Sequence, residues 1–511
     1  MAEPDTPSGD DGEVLADAPG RLAEEKAIRL DKLDALRKAG TEPYPYRFDR
    51  SATLAEVRAA HGALPAGTET EDRVTVAGRL MLIRRMGKLT FATMRDASGE
   101  IQLFASRGVL GDEAHAAFDD LDRGDWVGAT GTVITTRKGE LSVKVDRFEL
   151  LAKALRPLPD KWKGLTDTDT RYRQRYADLI VNDEARRVFE IRHAAVASLR
   201  RTLTDRQFVE VEGPVLHGEA GGAHARPFIT HHNALDLDLY LRIAEELHLK
   251  RLVVGGMERV FEIGRVFRNE GLSTRHNPEF TMLEAYQAFA DYTDMMELFQ
   301  ALVVNAARDA TGTTVITVDG AEIDLAQPWR RAPILGLIEE FTGLVVHPSM
   351  PVGQLRKILD ERGVKYAPHM GSGKLCVELY DHFVEPKLRV PTFVMDHPRE
   401  VSPLARQHRT DPDLVERFEP VIAGRELGNA FSELNDPIDQ RERFEDEQRA
   451  KEAGDAEAGT VDEDYVRALE YGLPPTGGLG LGVDRLVMLL SGVTTIRDVI
   501  LFPTLRPEAE R

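Results

Sequence analysis

One cysteine, Cys376, is all that this chain of 511 residues contains, which excludes an intrachain disulfide and a cysteine-built zinc site. Leu375 and Val377 flank it, the setting of a small buried side chain instead of a nucleophile. No apolar run approaches the length that crosses a bilayer, and the amino terminus is acidic instead of basic and then apolar. The expectation is a cytoplasmic protein with no membrane partner. A Walker loop and a Rossmann glycine fingerprint are also missing, so a bound nucleotide must be held in another way. Net positive charge is absent as well. A formal charge of -20 argues against nonspecific nucleic-acid binding by the whole surface. Between Arg73 and Arg107, however, seven cations face only Asp96 and Glu100, and a polyanion can dock on such a local excess.

The length is too great for one compact core and predicts two or three domains. Residues 1–20 carry six acids and no Lys or Arg, which predicts a disordered acidic tail. An amino-terminal helical segment follows over 21–70. Ile28, Leu33 and Leu36 recur among charges until Gly40 and Pro43 stop the first helix, and a second, short helix covers Leu54 to Ala60. Across 71–152 the period becomes two. Val74 to Leu82, Leu89 to Thr93 and Ile101 to Ala105 alternate, a helix from about Asp112 to Leu121 intervenes, and Val127 to Val133 and Leu141 to Val145 alternate again. That order fits an OB-fold, and the pattern alone fits a generic small β-barrel equally well. The basic bias of the first half favours the nucleic-acid version. Residues 153–185, with Pro157 and Pro159, read as a linker. A long amphipathic helix built on Val188, Ile191, Ala195, Leu199 and Leu203 opens the remainder, 186–511, where strand and helix are mixed without a βαβ rhythm. Asp439 to Gly459 is a charged helical stretch expected to be a solvated insertion near the catalytic face.

The chain is organised around Phe267-Arg268-Asn269-Glu270 and Arg275-His276-Asn277-Pro278-Glu279-Phe280, read as strand, charged loop and strand. Charge density alone fits a solvated surface hairpin, whereas two arginines and a histidine at one mouth suit a polyphosphate. The order of these residues resembles the second signature motif of class II aminoacyl-tRNA synthetases, in the bacterial lysyl-tRNA synthetase form. Phe208 to Leu216, with Pro214, resembles the first motif, a helix and strand at a dimer interface. Gly477-Gly478-Leu479-Gly480-Leu481-Gly482-Val483-Asp484-Arg485, which alone reads as a tight strand-to-helix turn, resembles the third.

The resemblance runs from about Arg21 to Leu505 and implies an α+β protein, an amino-terminal OB-fold β-barrel followed by a catalytic domain of antiparallel sheet flanked by helices. It implies ATP-dependent activation of L-lysine and transfer of lysine to tRNA(Lys) by a homodimer. ATP falls to Arg268, Glu270, His276, Phe280 and Arg485, with Arg268, His276 and Arg485 also the catalytic set. Spacing leaves Glu419 and Glu426 as either surface glutamates or a metal pair; the resemblance makes them ligands of Mg2+. Lysine carries a distal ammonium whose burial requires carboxylate partners. The resemblance sets Glu284 and Glu433, with the Tyr286 hydroxyl, at that ammonium, Gly222 and Glu246 at the α-amino group, and Asn429 with Arg268 at the carboxylate. Phe91, Gln102 and Glu140 match anticodon-reading positions; an aromatic can stack on a splayed base, and Phe91 fits a barrel core as readily. His224 and Glu245 depart from the family pattern, the latter where a proline is common, and receive no role. Two rivals stand beside this reading: a paralogue that delivers lysine to another acceptor, and a non-enzymatic tRNA-binding protein.

Overall fold

The computed structural model describes residues 19–159, 165, 167–219, 221–223, 225–452, 454 and 459–508. The acidic stretch before residue 19, and His224, lie outside the described residues. The chain divides into two compact units, Met1–Leu165 and Thr166–Arg511.

In the first unit, helices α1 (Pro19–Lys38) and α2 (Leu54–His61) precede a closed barrel. A capping box fixes the start of α2: Thr53 accepts from the Glu56 amide while the Glu56 side chain accepts from the Thr53 amide. Strands β1 (Glu69–Arg85), β2 (Leu89–Arg95), β3 (Glu100–Ser106), β4 (Trp126–Thr135) and β5 (Leu141–Ala152) close in the order β1-β2-β3-β5-β4, with α3 (Arg107–Leu110) and α4 (Asp112–Asp119) between β3 and β4. Strict alternation puts Ala92, Met94, Ile101, Leu103 and Val143 inside, each contributing about 1.5–3 kcal/mol of burial except the smaller alanine. The cationic excess seen along the sequence is smaller in space. Arg73 pairs with Asp146 and Arg107 with Asp112, acids from outside that window, and Arg95 pairs with Glu100.

The stretch read as a linker contains two helices of the second unit, α5 (Thr168–Arg173) and α6 (Arg175–Val181). Their order comes from distant partners that local composition hides: Arg175 is buried and donates to the carbonyls of Leu501 and Arg497, and the Tyr172 hydroxyl donates to Asp498 at 3.1 Å. Helix α7 (Asp183–Thr204) starts at Asn182, whose side chain accepts from the Glu184 and Ala185 amides. Its face of Val188, Ile191, Ala195, Leu199 and Leu203 is buried in the main core, as the 3.6-residue spacing predicts.

Next come β6 (Val209–Glu210), the three-stranded sheet of β7 (Leu216–His217), β8 (Ile229–His232) and β9 (Leu237–Leu241), helix α8 (Glu246–Val254), and strands β10 (Arg259–Phe267) and β11 (Glu279–Ala288). Helix α9 (Tyr292–Thr311) packs beside α7, the hairpin β12 (Val315–Val318) and β13 (Ala321–Asp324) follows, and β14 (Arg330–Pro333) leads into α10 (Ile334–Thr342), α11 (Val352–Arg362) and α12 (Ser372–Phe383). Those three helices enclose a separate core that contains Cys376, fully buried, its thiol pushed up to about 12 mainly by burial. Strands β15 (Thr392–Met395), β16 (Arg417–Ile422), β17 (Arg425–Glu426) and β18 (Gly428–Ser432), helices α13 (Pro437–Glu452) and α14 (Glu463–Glu470), strand β19 (Thr476–Gly482), and helices α15 (Val483–Ser491) and α16 (Ile496–Val499) complete the unit.

The main sheet runs β14-β15-β16-β18-β19-β11-β10-β6, with β17 paired to β16. It is antiparallel throughout its middle, with parallel pairs at both ends, β14 with β15 and β10 with β6. Leu283 and Ala285 of β11 face the core with α7, α9 and α15. The opposite face is open for chemistry. Helix α13 is less solvated than its charges suggest, because it buries Gln440, Arg443 and Phe444.

A candidate active site on the catalytic sheet

Strand β11 alternates sides, so Phe280, Met282, Glu284 and Tyr286 share the face away from the core and line a cavity of about 500 Å3. Across the sheet, Glu284 is level with Gly480 of β19, and Gly480 with Asn429 of β18. The glycines of β19 keep a trough clear between these side chains. A Cβ at Gly478 would overlap Glu433 Oε1 and stand 2.6 Å from the Tyr286 ring, so only glycine leaves that end of the cavity open.

One end of the cavity is acidic and buried. Glu284 is 3% exposed; its Oε2 accepts from the Tyr286 hydroxyl at 2.9 Å and its Oε1 from the Glu245 amide at 3.0 Å. Burial, and then the negative charge of Glu246, push its carboxyl up to about 7. Glu433 is 1% exposed, pairs with Lys250, and is likewise raised well above the usual carboxylate range, mainly by burial. Such a pocket gains most from a cation that supplies the missing hydrogen-bond donors.

The other end is cationic. The Arg268 guanidinium carbon stands 5.2 Å from the Phe280 ring centroid, and its buried Nε has no hydrogen-bond partner among the described residues. Arg485, at the start of α15, donates to Glu426 Oε2 at 2.9 Å and to the Glu426 carbonyl at 3.0 Å. His276 shares a 2.9 Å hydrogen bond with Ser273 Oγ, and burial followed by the Arg485 charge lowers its pKa. Near them, the carboxyls of Asp381 and Glu385 are each pushed up to about 7, by burial first and then by the charges of Glu419 and Glu426. Hard oxygen donors under mutual repulsion fit a divalent cation, which would relieve that field.

Residues 167–506 match the family model described as tRNA synthetases class II (D, K and N), and residues 74–151 match the OB-fold nucleic acid binding domain. A lysine-tRNA ligase of Synechococcus sp. (strain CC9311) is 54% identical over 489 residues, 95% of this chain and 100% of the relative. Those of Prochlorococcus marinus (strain MIT 9313) and Nostoc punctiforme (strain ATCC 29133 / PCC 73102) are 53% and 52% identical, over 95% and 94% of this chain and 98% and 88% of their own lengths. The chain belongs to the class II lysine-tRNA ligases.

In this ligase the residues singled out along the sequence fall into three groups. Gly222, Glu246, Arg268, Glu270, His276 and Phe280 line the same cavity as Glu284, Tyr286, Glu426, Asn429, Glu433 and Arg485. Glu419 does not line it; Arg417 connects it, donating to Glu419 Oε1 at 2.5 Å and to Asn429 Oδ1 at 2.8 Å. Phe91, Gln102 and Glu140 belong to the barrel. Phe91 is half-buried on the outer face, packed edge-on against Phe104 at 5.4 Å, and Gln102 donates to Ser142, whose hydroxyl donates to the carbonyl of exposed Glu140. Phe91 is therefore not in the barrel core.

Two residues of the ligase's site, Arg417 and Lys250, went unread in the sequence, and a third, Glu245, was noticed there without a role. Arg417 bridges two predicted ligand positions, and the Glu245 amide supports Glu284, a bond that a proline at 245 would forbid. For Lys250, the spacing of four from Glu246 on one helix was the available signal.

Proposed function

We propose that this protein activates L-lysine with ATP, forming lysyl-adenylate and pyrophosphate, and then transfers lysine to the terminal adenosine of tRNA(Lys). What carries this reading is one cavity shared by buried Glu284 and Glu433 at one end and Arg268 with Arg485 at the other. Glu284 and Glu433, with the Tyr286 hydroxyl, hold the ε-ammonium; Gly222 and Glu246 hold the α-amino group; Arg268 and Asn429 hold the carboxylate. A carboxylate oxygen of lysine attacks the α-phosphorus in line, and pyrophosphate leaves towards His276 and Arg485. Arg268 stabilises the charge that develops on the α-phosphate. The adenine lies on Phe280 with Glu270 beside it. Glu419 and Glu426 hold Mg2+, which when bound neutralises phosphate charge. In the second step the ribose hydroxyl of tRNA attacks the adenylate carbonyl and AMP leaves. Orientation and fixed charge do most of this, and no titrating base is required.

Phe91, Gln102 and Glu140 read the anticodon, a role supported by their sharing one accessible face of the barrel. The working form is a cytoplasmic homodimer. Exposed Val209, Val215, Leu216, Ile229 and Leu237 around the first motif support the dimer, as such a patch is poorly suited to water. The deciding experiment is pyrophosphate exchange with each of the amino acids, followed by charging of tRNA(Lys) and of an anticodon-altered transcript. Exchange that depends on lysine, and charging that falls with the altered anticodon, are expected. Exchange without charging would favour a lysine-activating paralogue, and no exchange a binding protein. Among the described residues, no helix is long and apolar enough to cross a membrane.

A further inference from the structure

Lys250 lies in α8, one turn after Glu246, with its side chain fully buried. Its Nζ is 2.5 Å from Glu246 Oε1 and also pairs with Glu433 Oε2. The rings of Phe431, Tyr286 and Tyr465 surround the ammonium, with centroids at 5.2, 5.9 and 6.0 Å. As structural cement this is an expensive choice. Taking an ammonium and two carboxylates out of water costs several kcal/mol per ion, and apolar side chains of similar size commonly replace such clusters without loss of stability. A methionine would fill the same space among these aromatics. The cluster therefore calls for a reason outside folding, and its position supplies one: the two acids that Lys250 joins are the ones assigned to opposite amino groups of the substrate. Glu433 Oε1 accepts no hydrogen bond from the described residues, and Gly478 keeps the space in front of it clear.

We propose that Lys250 is a positioning residue for lysine selection: its ammonium, shared by Glu246 and Glu433, fixes the separation of these carboxylates for the two ammonium groups of the substrate. The inference rests on the lysine pocket of the proposed function. Besides Lys250, Glu246, Glu284, Tyr286 and Tyr465 face Glu433; Glu284, Tyr286, Tyr465 and Arg417 face Glu246. Burial raises both carboxyls and the Lys250 charge opposes it, so removing that charge lets them hold protons to still higher pH. Because cationic lysine needs them ionised, kcat/KM for lysine then falls at neutral pH and recovers as pH rises.

The test is lysine-dependent pyrophosphate exchange by the full-length wild type, Lys250→Met and Lys250→Arg, read against lysine, ATP and pH. For Lys250→Met, the lysine KM rises about 100-fold or more, as when one member of a buried charge cluster is removed. The ATP KM stays within about twofold, and the midpoint of the lysine kcat/KM profile moves up by about one pH unit. Lys250→Arg, which keeps the charge in a wider fork, restores the pH midpoint and leaves the lysine KM raised about tenfold. A folded Lys250→Met protein with the wild-type lysine KM and pH midpoint overturns the proposal; should that variant fail to fold, an unchanged lysine KM in Lys250→Arg does the same. If neither folds, the wild type labelled with 15N-lysine decides: an ammonium resonance of Lys250 that moves on adding L-lysine supports the role, and one indifferent to it overturns it. A wild type without lysine-dependent exchange overturns the pocket itself, an outcome distinct from failure of Lys250 alone.

Discussion

Glu284→Gln isolates the charge that the lysine pocket is argued to need. Glutamine is nearly isosteric with glutamate, and its carbonyl oxygen can still accept from the Glu245 amide, now 3.0 Å from Glu284 Oε1. Shape and cavity therefore stay nearly constant while one negative charge disappears beside the substrate ammonium. Breaking one partner of a buried ion pair costs about 3–5 kcal/mol, and a partly solvent-compensated charged hydrogen bond about 1.5–3 kcal/mol. Taking about 3 kcal/mol as the working figure, at about 1.4 kcal/mol per decade, the lysine KM in pyrophosphate exchange rises about 100-fold. The ATP KM moves far less, because Arg485 keeps its surroundings and Arg268 loses only the weakest of the charges acting on it. A second readout follows from protonation. The Glu284 carboxyl is pushed up to about 7 by burial and then by Glu246, so without lysine it loses its proton near neutrality, and cationic lysine binds better once it has. In the wild type kcat/KM for lysine therefore climbs as pH rises through about 7, and Glu284→Gln flattens that limb. The folded-state pKa is raised, so the folded protein retains a proton that the unfolded chain releases from about 4.5 upward; this group's contribution to stability falls between there and about 7, and glutamine removes that slope. A lysine KM within about threefold of wild type, with the pH limb intact, would refute the assignment of Glu284 to the ε-ammonium.

Four further outcomes are expected. Gly478→Ala pushes a methyl group into Glu433 and the Tyr286 ring, so the lysine KM should rise about tenfold while thermal melting shows a loss of about 1–3 kcal/mol. Phe91→Ala removes a stacking surface worth about 1–3 kcal/mol per base, so kcat/KM for tRNA should drop about 10- to 100-fold with exchange unchanged. Chelation of divalent ions should abolish exchange, and added Mg2+ should restore it; Glu426→Gln should raise the Mg2+ concentration required, a titration that Glu426 has no reason to affect if it only pairs with Arg485. Leu199→Ala empties a fully buried position between α7 and the main core, and urea unfolding should show a loss of about 2–5 kcal/mol with the lysine KM preserved.

Local signals in the sequence were enough for much of this molecule. The barrel strands announced themselves because each buries one face, so apolar residues recur every second position from Val74 to Val145. The β10–β11 hairpin was legible for the same reason, with a polar loop holding Pro278 between its two strands. The buried stripe of α7 followed from the helical repeat, and the residue order of the three motifs identified the chemistry. The contents of the presumed linker were hidden, since α5 and α6 are held by carbonyls and an acid near the other end of the chain, and composition carries no record of such partners.

Convergence was the part that sequence could not settle. That Glu284 and Glu433 open into one cavity depends on β19 lying between β11 and β18, an order set by sheet pairing and not by any local pattern. The same pairing sets Gly480 of β19 opposite both Glu284 and Asn429, where the absence of a side chain makes room for a substrate. Lys250 finds Glu433, and Arg417 joins Glu419 to Asn429, only after the sheet has formed. The sequence by itself determined the periodicities, the family and the kinds of side chain available. The tertiary structure decided which charges share a buried space, because desolvation and Coulomb attraction act through distances that the chain closes only by folding.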